Sequence, residues 1–217
     1  MAGYCRPACG ERDARVPGNQ LMRAFIAVKI APALLDAASA LQSRLESQCA
    51  GVVHWSKPDQ MHLTLCFLGD VAAEKIGPLE SALRSACGGT RPLALRLERL
   101  GCFPNVNRPK VIWLGVNSAG EALQSLAQRV RQATQSFGEH QEDRSFQAHL
   151  TLGRIRQARP RELDKLSAAI ANTAASSLGE WTANSVELMG SELLPSGARH
   201  TVLASMPLSG EWLVASG

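Results

Sequence analysis

Two histidines open the same tetrapeptide. His62-Leu63-Thr64-Leu65 and His149-Leu150-Thr151-Leu152 start 87 positions apart in a chain of 217 residues that holds only five histidines. Both runs read as strands, in which successive side chains point to opposite faces. Each copy therefore turns its His and Thr one way and its two Leu the other. Imidazole has an ordinary pKa of about 6.5, so near neutral pH one ring can take a proton from a nucleophile while a second gives one to a leaving group. A threonine hydroxyl on the same face can donate to an oxygen that gains negative charge. Two His-Thr half-sites on facing walls of a cleft would suit a phosphoryl group, held from both sides.

The predicted chemistry is phosphodiester cleavage without a metal or any other cofactor. No carboxylate occupies either tetrapeptide, and two histidines are fewer ligands than zinc usually takes. Cys66 shares the His62 and Thr64 face by strand parity and is the one soft third ligand on offer, which makes a metal site the weaker reading. There is no glycine-rich phosphate loop of the Walker or dinucleotide kind and no Gly-x-Ser-x-Gly, so nucleotide cofactors and serine hydrolase chemistry have no anchor. His54, His140 and His200 lack a His-x-Thr context and read as structural. Trp55, Trp113, Trp181 and Trp212 read as packing, one of them a possible base-stacking surface.

The elements that must position these pairs alternate between strand and helix periods. An apolar run from Arg23 to Ile30 is a strand, and Pro32 opens a helix whose Leu34, Ala38, Leu41 and Leu45 form one stripe. A short strand, Val52 to Trp55, and a turn at Ser56-Lys57-Pro58-Asp59 lead into the first His-Thr strand, which Gly69-Asp70 ends. A helix beginning at Pro78 is broken by Gly88-Gly89. Strands over Leu93–Leu100 and Val111–Val116, a helix over 119–136, the second His-Thr strand over Phe146–Ile155, and a helix from Pro160 follow. Two strands, Thr182–Leu193 and His200–Met206, close the chain. Mixed elements with hairpin-like turns predict an α+β fold, largely antiparallel, with each half carrying one His-Thr strand.

Composition bounds the rest. Hydrophobic residues make up 45% and charged residues 19%, and the net charge of +4 is compatible with a polyanionic substrate without demanding one. No apolar stretch reaches the roughly 18 residues of a membrane span, and the first twenty residues carry no apolar run of a signal peptide. A cytoplasmic, monomeric protein is expected. The six cysteines then read as reduced thiols, including the Cys5/Cys9 pair in the tail. Residues 1–21 hold little that could pack and read as a disordered extension, with residues 22–217 forming a single domain of two lobes.

At these motifs the sequence resembles the 2H phosphoesterases, and within them the RNA 2′,3′-cyclic phosphodiesterases, historically called 2′-5′ RNA ligases. The likeness runs over roughly residues 22–208. RAFIAVKI, HWSKPDQMHLTLCFLGDV, VIWLGV, FQAHLTLGRIR and SELLPSGARHTVLA carry it. The resemblance implies a bilobal α+β fold in which two antiparallel sheets, related by a pseudo-twofold duplication, frame a positively lined groove with helices outside. It implies metal-free hydrolysis of a terminal 2′,3′-cyclic phosphate on RNA to a 2′-phosphate. His62 would be the proton donor to the departing 3′ oxygen, His149 the base that activates water, and Thr64 and Thr151 the phosphate holders. Phe67 and Arg154, each five residues past its His, would also face the substrate. Strand parity counted straight through puts both on the leucine face, so they reach the groove only where the strand ends or bulges. His200 stands where the resemblance leads one to expect an aromatic such as tyrosine. Two alternatives use the same residues: reversible 2′-5′ joining of RNA ends, and a non-catalytic nucleotide-binding module.

Overall fold

The computed structural model describes residues 21–49, 51–138, 145–173, 177–195 and 197–210. Of the disordered extension expected over residues 1–21, residues 1–20 lie outside those described, and Leu21 belongs instead to the first strand. His140, Trp212, Cys5 and Cys9 also lie outside the described residues.

Among the described residues nine strands and four helices follow one another as β1 (Leu21–Lys29), α1 (Pro32–Glu46), β2 (Val53–Trp55), β3 (His62–Ala72), α2 (Ile76–Cys87), β4 (Leu93–Phe103), β5 (Val111–Ser118), α3 (Ala122–Thr134), β6 (His149–Ile155), α4 (Pro160–Asn172), β7 (Gly179–Ala183), β8 (Ser185–Leu194) and β9 (Gly197–Pro207). The strands lie in the order β7-β4-β5-β6-β3-β1-β8-β9, with β2 also paired to β6. Every pairing among the described residues is antiparallel. The fold is α+β, and its two antiparallel halves are four strands each, β7-β4-β5-β6 and β3-β1-β8-β9. The two His-Thr strands are the innermost of each half and meet at the single pair Leu63↔Leu150, so the halves run on as one hydrogen-bonded sheet.

The leucines of both motifs turn to the core. Leu63, Leu150 and Leu152 are fully buried and Leu65 nearly so. They pack in one cluster with the stripe read from spacing, Leu34, Ala38, Leu41 and Leu45 of α1, and with Leu79 and Leu83 of α2, Leu123, Leu126 and Val130 of α3, and Leu166 and Ile170 of α4. Full burial of a leucine contributes roughly 1.5–3 kcal/mol. A one-residue slip of either strand would turn its two motif leucines out and its His and Thr in, so packing fixes which face holds the polar pairs. Among the described residues no helix is long and apolar enough to cross a membrane.

Among the boundaries that differ from expectation, two do so for a clear physical reason. β3 does not stop at Gly69-Asp70 but continues to Ala72, because β1 supplies partners at Ala24↔Gly69 and Arg23↔Asp70. Gly69 absorbs the local irregularity at φ 73, a left-handed value glycine adopts freely. The single strand expected over Thr182–Leu193 is two strands broken at Asn184, β7 at one end of the sheet and β8 in the other half.

Candidate active site

The same backbone irregularity occurs in both His-Thr strands, one residue past each threonine. Along β3, Ala27 pairs with Thr64 and the next residue, Ile26, pairs with Cys66, so Leu65 is left over. Along β6, Trp113 pairs with Thr151 and Ile112 with Gly153, so Leu152 is left over. Each is a β-bulge, and an extra residue shifts the alternation of faces by one. Phe67 then shares the face of His62 and Thr64, and Arg154 that of His149 and Thr151. Phe67 is 43% exposed and its ring lies 6.2 Å from that of Phe25, its partner on β1. Straight parity, which put both residues on the leucine face, is thus corrected by the paired bulges. In β6 the unpaired Leu152 carbonyl accepts from the buried Gln42 side chain (Nε2–O 2.8 Å) and from the Ser56 amide (2.8 Å).

All six residues expected at the site, His62, Thr64, Phe67, His149, Thr151 and Arg154, line one cleft of about 1060 Å³. The pairing Leu63↔Leu150, carried one residue either way, sets His62 across from Thr151 and Thr64 across from His149. The four polar side chains therefore form a quartet about the seam. Arg23 and Lys110 join Arg154 as cations of the lining, and no Asp or Glu is among the described residues that line it. Such a site attracts an anion. Cys66 lines the cleft as well, but no group of three or more His, Cys, Asp or Glu suited to a metal occurs among the described residues.

Each histidine is tied back by the residue two before it. His149 Nδ1 lies 2.7 Å from the Gln147 carbonyl, and the Gln60 carbonyl hydrogen-bonds the His62 ring. A carbonyl only accepts, so the bonded ring nitrogen carries the proton and the neutral ring keeps a lone pair on its other nitrogen. Both rings are thus set as bases while uncharged. Aromatic contacts complete the seats. Phe25 stacks on His62 at 4.6 Å between centroids, and Phe103 meets His149 edge-on at 5.1 Å. Trp113 lies behind Phe103 and His149, over Gly101, where a Cβ would overlap the indole. The packing expected of this tryptophan holds, and it is packing in support of the site.

Burial first, then the positive charge of His200 and that of His149, push the His62 imidazole down to about 4, with the Gln60 carbonyl acting in the opposite sense. In the unliganded cleft His62 is therefore neutral at pH 7. His200, which has no His-x-Thr context and stands where the resemblance leads one to expect an aromatic, lines the cleft with its ring edge-on to His62 at 5.3 Å and to Phe25 at 5.0 Å. Sequence reasoning also missed Arg23, Lys110, Phe25 and Phe103. The anchoring glutamines were visible as Gln-x-His-Leu-Thr-Leu in both copies, a longer repeat than the tetrapeptide used. His54 sits exposed on β2 beside Arg154.

Comparison with other proteins identifies the family. The family model for LigT-like phosphoesterases matches residues 28–113 and again 114–200, one His-Leu-Thr-Leu in each segment. The chain belongs to the LigT-like phosphoesterases, the 2H family its motifs resemble. An RNA 2′,3′-cyclic phosphodiesterase of Methanothermobacter thermautotrophicus is 33% identical over 180 residues, 83% of this chain and 95% of that protein. One of Archaeoglobus fulgidus is 32% identical over 176 residues, 81% and 94% of the two chains. Among solved structures, TT0787 of Thermus thermophilus superposes with a TM-score of 0.72 at 29% identity, covering 88% of this chain and all of that one. LigT of E. coli, solved with 3′-AMP, shares the fold with a TM-score of 0.69 at 23% identity, covering 87% and 99%.

Proposed function

We propose that this LigT-like phosphoesterase hydrolyses terminal 2′,3′-cyclic phosphates of RNA to 2′-phosphates, without metal, through His62 and His149. The observation that carries the reading is the quartet of two carbonyl-anchored histidines and two threonines about one seam, in a cleft lined by Arg23, Lys110 and Arg154. The cyclic phosphate sits among the cations with its non-bridging oxygens toward Thr64 and Thr151. The lone-pair nitrogen of His149 takes a proton from water as its oxygen attacks phosphorus. The bond from phosphorus to the 3′ oxygen breaks, and His62 gives that oxygen its proton. The products are a 3′-hydroxyl and a 2′-phosphate, and proton exchange with solvent resets both rings.

His62 must carry a proton to act as the donor, yet it is neutral when the cleft is empty. A bound phosphodiester places a negative charge beside the ring, which favours imidazolium. The substrate thus brings the acid into its working state. Phe67 stacks on the nucleobase and Arg154 pairs with the phosphate. The protein acts as a monomer, and the free thiols Cys49, Cys87 and Cys102 suit a reducing compartment such as the cytoplasm.

Incubation of the pure protein with adenosine 2′,3′-cyclic phosphate in EDTA is expected to release adenosine 2′-phosphate alone. His62→Ala and His149→Ala are each expected to lose on the order of 10²–10⁴ in kcat. Dependence of turnover on added metal, release of the 3′-phosphate, or full activity in both variants would overturn the reading.

A further inference from the structure

His200 is the histidine of the cleft that the proposed mechanism leaves unused. It stands on β9 across from Ser191 of β8, and both residues line the cleft. Its ring completes a three-ring cluster with Phe25 and His62, edge-on to both. The same short turn, Pro58–Gln60, holds the His62 ring and the strand that carries His200. The Gln60 carbonyl bonds the His62 ring, while the Gln60 side chain donates to the Ala198 carbonyl at 2.7 Å, two residues before His200. His149, by contrast, has the inert ring of Phe103 in the corresponding edge-on place.

The two nitrogens of His200 have different surroundings. Nδ1 is shut off from solvent and has no hydrogen-bond partner. His200 lines the cleft, and with Nδ1 shut off Nε2 is the ring nitrogen left to serve it. A proton on Nδ1 would be a buried donor without an acceptor, which is the costly arrangement. The neutral ring therefore places its proton on Nε2, facing the cleft. The surrounding groups act both ways on full protonation. Burial, the larger influence, opposes it and Asp59 on the turn favours it, so the imidazole is held below its ordinary value. Arg199, the neighbour on β9, is paired with Glu192 at 2.6 Å.

We infer that His200 is a substrate-binding residue, a neutral imidazole that donates its Nε2–H to a non-bridging phosphate oxygen on the His62 side of the cleft. The inference rests on the cyclic-phosphate reading of the site. It makes the phosphate grip asymmetric: a threonine and a third imidazole on one wall, a threonine and a guanidinium on the other. Placing the donor against His62 also keeps a fixed N–H, rather than a second mobile charge, beside the ring that must take up a proton.

Glutamine reproduces the reach of Nε2, asparagine that of Nδ1, and phenylalanine the ring without a donor. Steady-state kinetics on adenosine 2′,3′-cyclic phosphate should show KM raised about tenfold in His200→Phe and His200→Asn, with kcat changed far less, and largely restored in His200→Gln. Calorimetric binding of adenosine 2′-phosphate should follow the same order, and it reads the contact even if the protein turns over no cyclic phosphate. Nitrogen-15 shifts of the free protein at pH 7 should report an Nε2–H tautomer for His200. Equal affinity in the Phe and parent proteins, equal impairment of Gln and Phe, or a ring protonated on Nδ1 would overturn the inference.

Discussion

At the scale of single residues the site is a matter of which nitrogen holds a proton. His62 is the clearest case, because its folded-state pKa of about 4 lies below the ordinary 6.5. As pH falls through 6.5 the unfolded chain binds a proton at this residue and the folded chain does not, so stability is lost from about pH 6.5 down to about 4 and the loss then stops. The full shift corresponds to at most ~3 kcal/mol. Chemical denaturation at a series of pH values should show that slope, and His62→Phe should flatten it. Inorganic phosphate should oppose the loss, since an anion beside the ring raises its pKa. Binding should take up a proton, read as a dependence of the calorimetric heat on the ionisation enthalpy of the buffer. The contact of His200 with His62 was out of reach of sequence reasoning at this scale. The two lie 138 residues apart, His200 outside both His-x-Thr motifs, and only the packing of β9 against the turn at Gln60 brings the two rings together.

At the scale of elements, the bulges decide the lining. A leucine left unpaired in each strand turns the residue five past each histidine from the core to the cleft. In β6 the freed carbonyl is held by Gln42, a buried polar side chain on the core face of α1. Gln42→Leu should remove that tether, cost about 1–3 kcal/mol in thermal or denaturant unfolding, and raise KM through Arg154 while leaving the His62 wall intact. An unchanged KM with the full stability loss would mean the bulge holds without it. Much of this level was legible: the helical stripes, the four motif leucines and the order of elements all follow from periodicity. The bulges were not, because the leucine at each bulge is as apolar as the alternation requires and nothing in the strand itself marks an extra residue. The passage of β3 through Gly69-Asp70 was missed for a related reason. Glycine is a breaker only where no neighbouring strand supplies partners, and here β1 does.

At the scale of the whole molecule, charge and weave matter most. Three cations line the cleft with no carboxylate among the described residues there, so association with an anionic RNA end should weaken as salt rises. Between 50 and 200 mM salt, kcat/KM should fall for an RNA oligonucleotide ending in a cyclic phosphate, and fall less for Arg23→Ala or Lys110→Ala. Salt-independent rates in the parent protein would place the RNA elsewhere. The halves of the sheet do not coincide with the halves of the chain. β1, β3, β8 and β9 form one, while β4 to β7 form the other, and the family match nonetheless splits between residues 113 and 114. Duplication was readable from two tetrapeptides; the exchange of strands was not, since it depends on which edges meet.

The paired bulges have one more consequence. They repeat the same backbone manoeuvre in each half, yet deliver a phenyl ring on one wall and a guanidinium on the other. A cleft with a twofold frame would accept a ligand equally well end over end. This one has a front and a back, and a nucleotide laid in reversed would set its base against the cation and its phosphate against the ring. Direction enters the molecule at the fifth residue after each histidine.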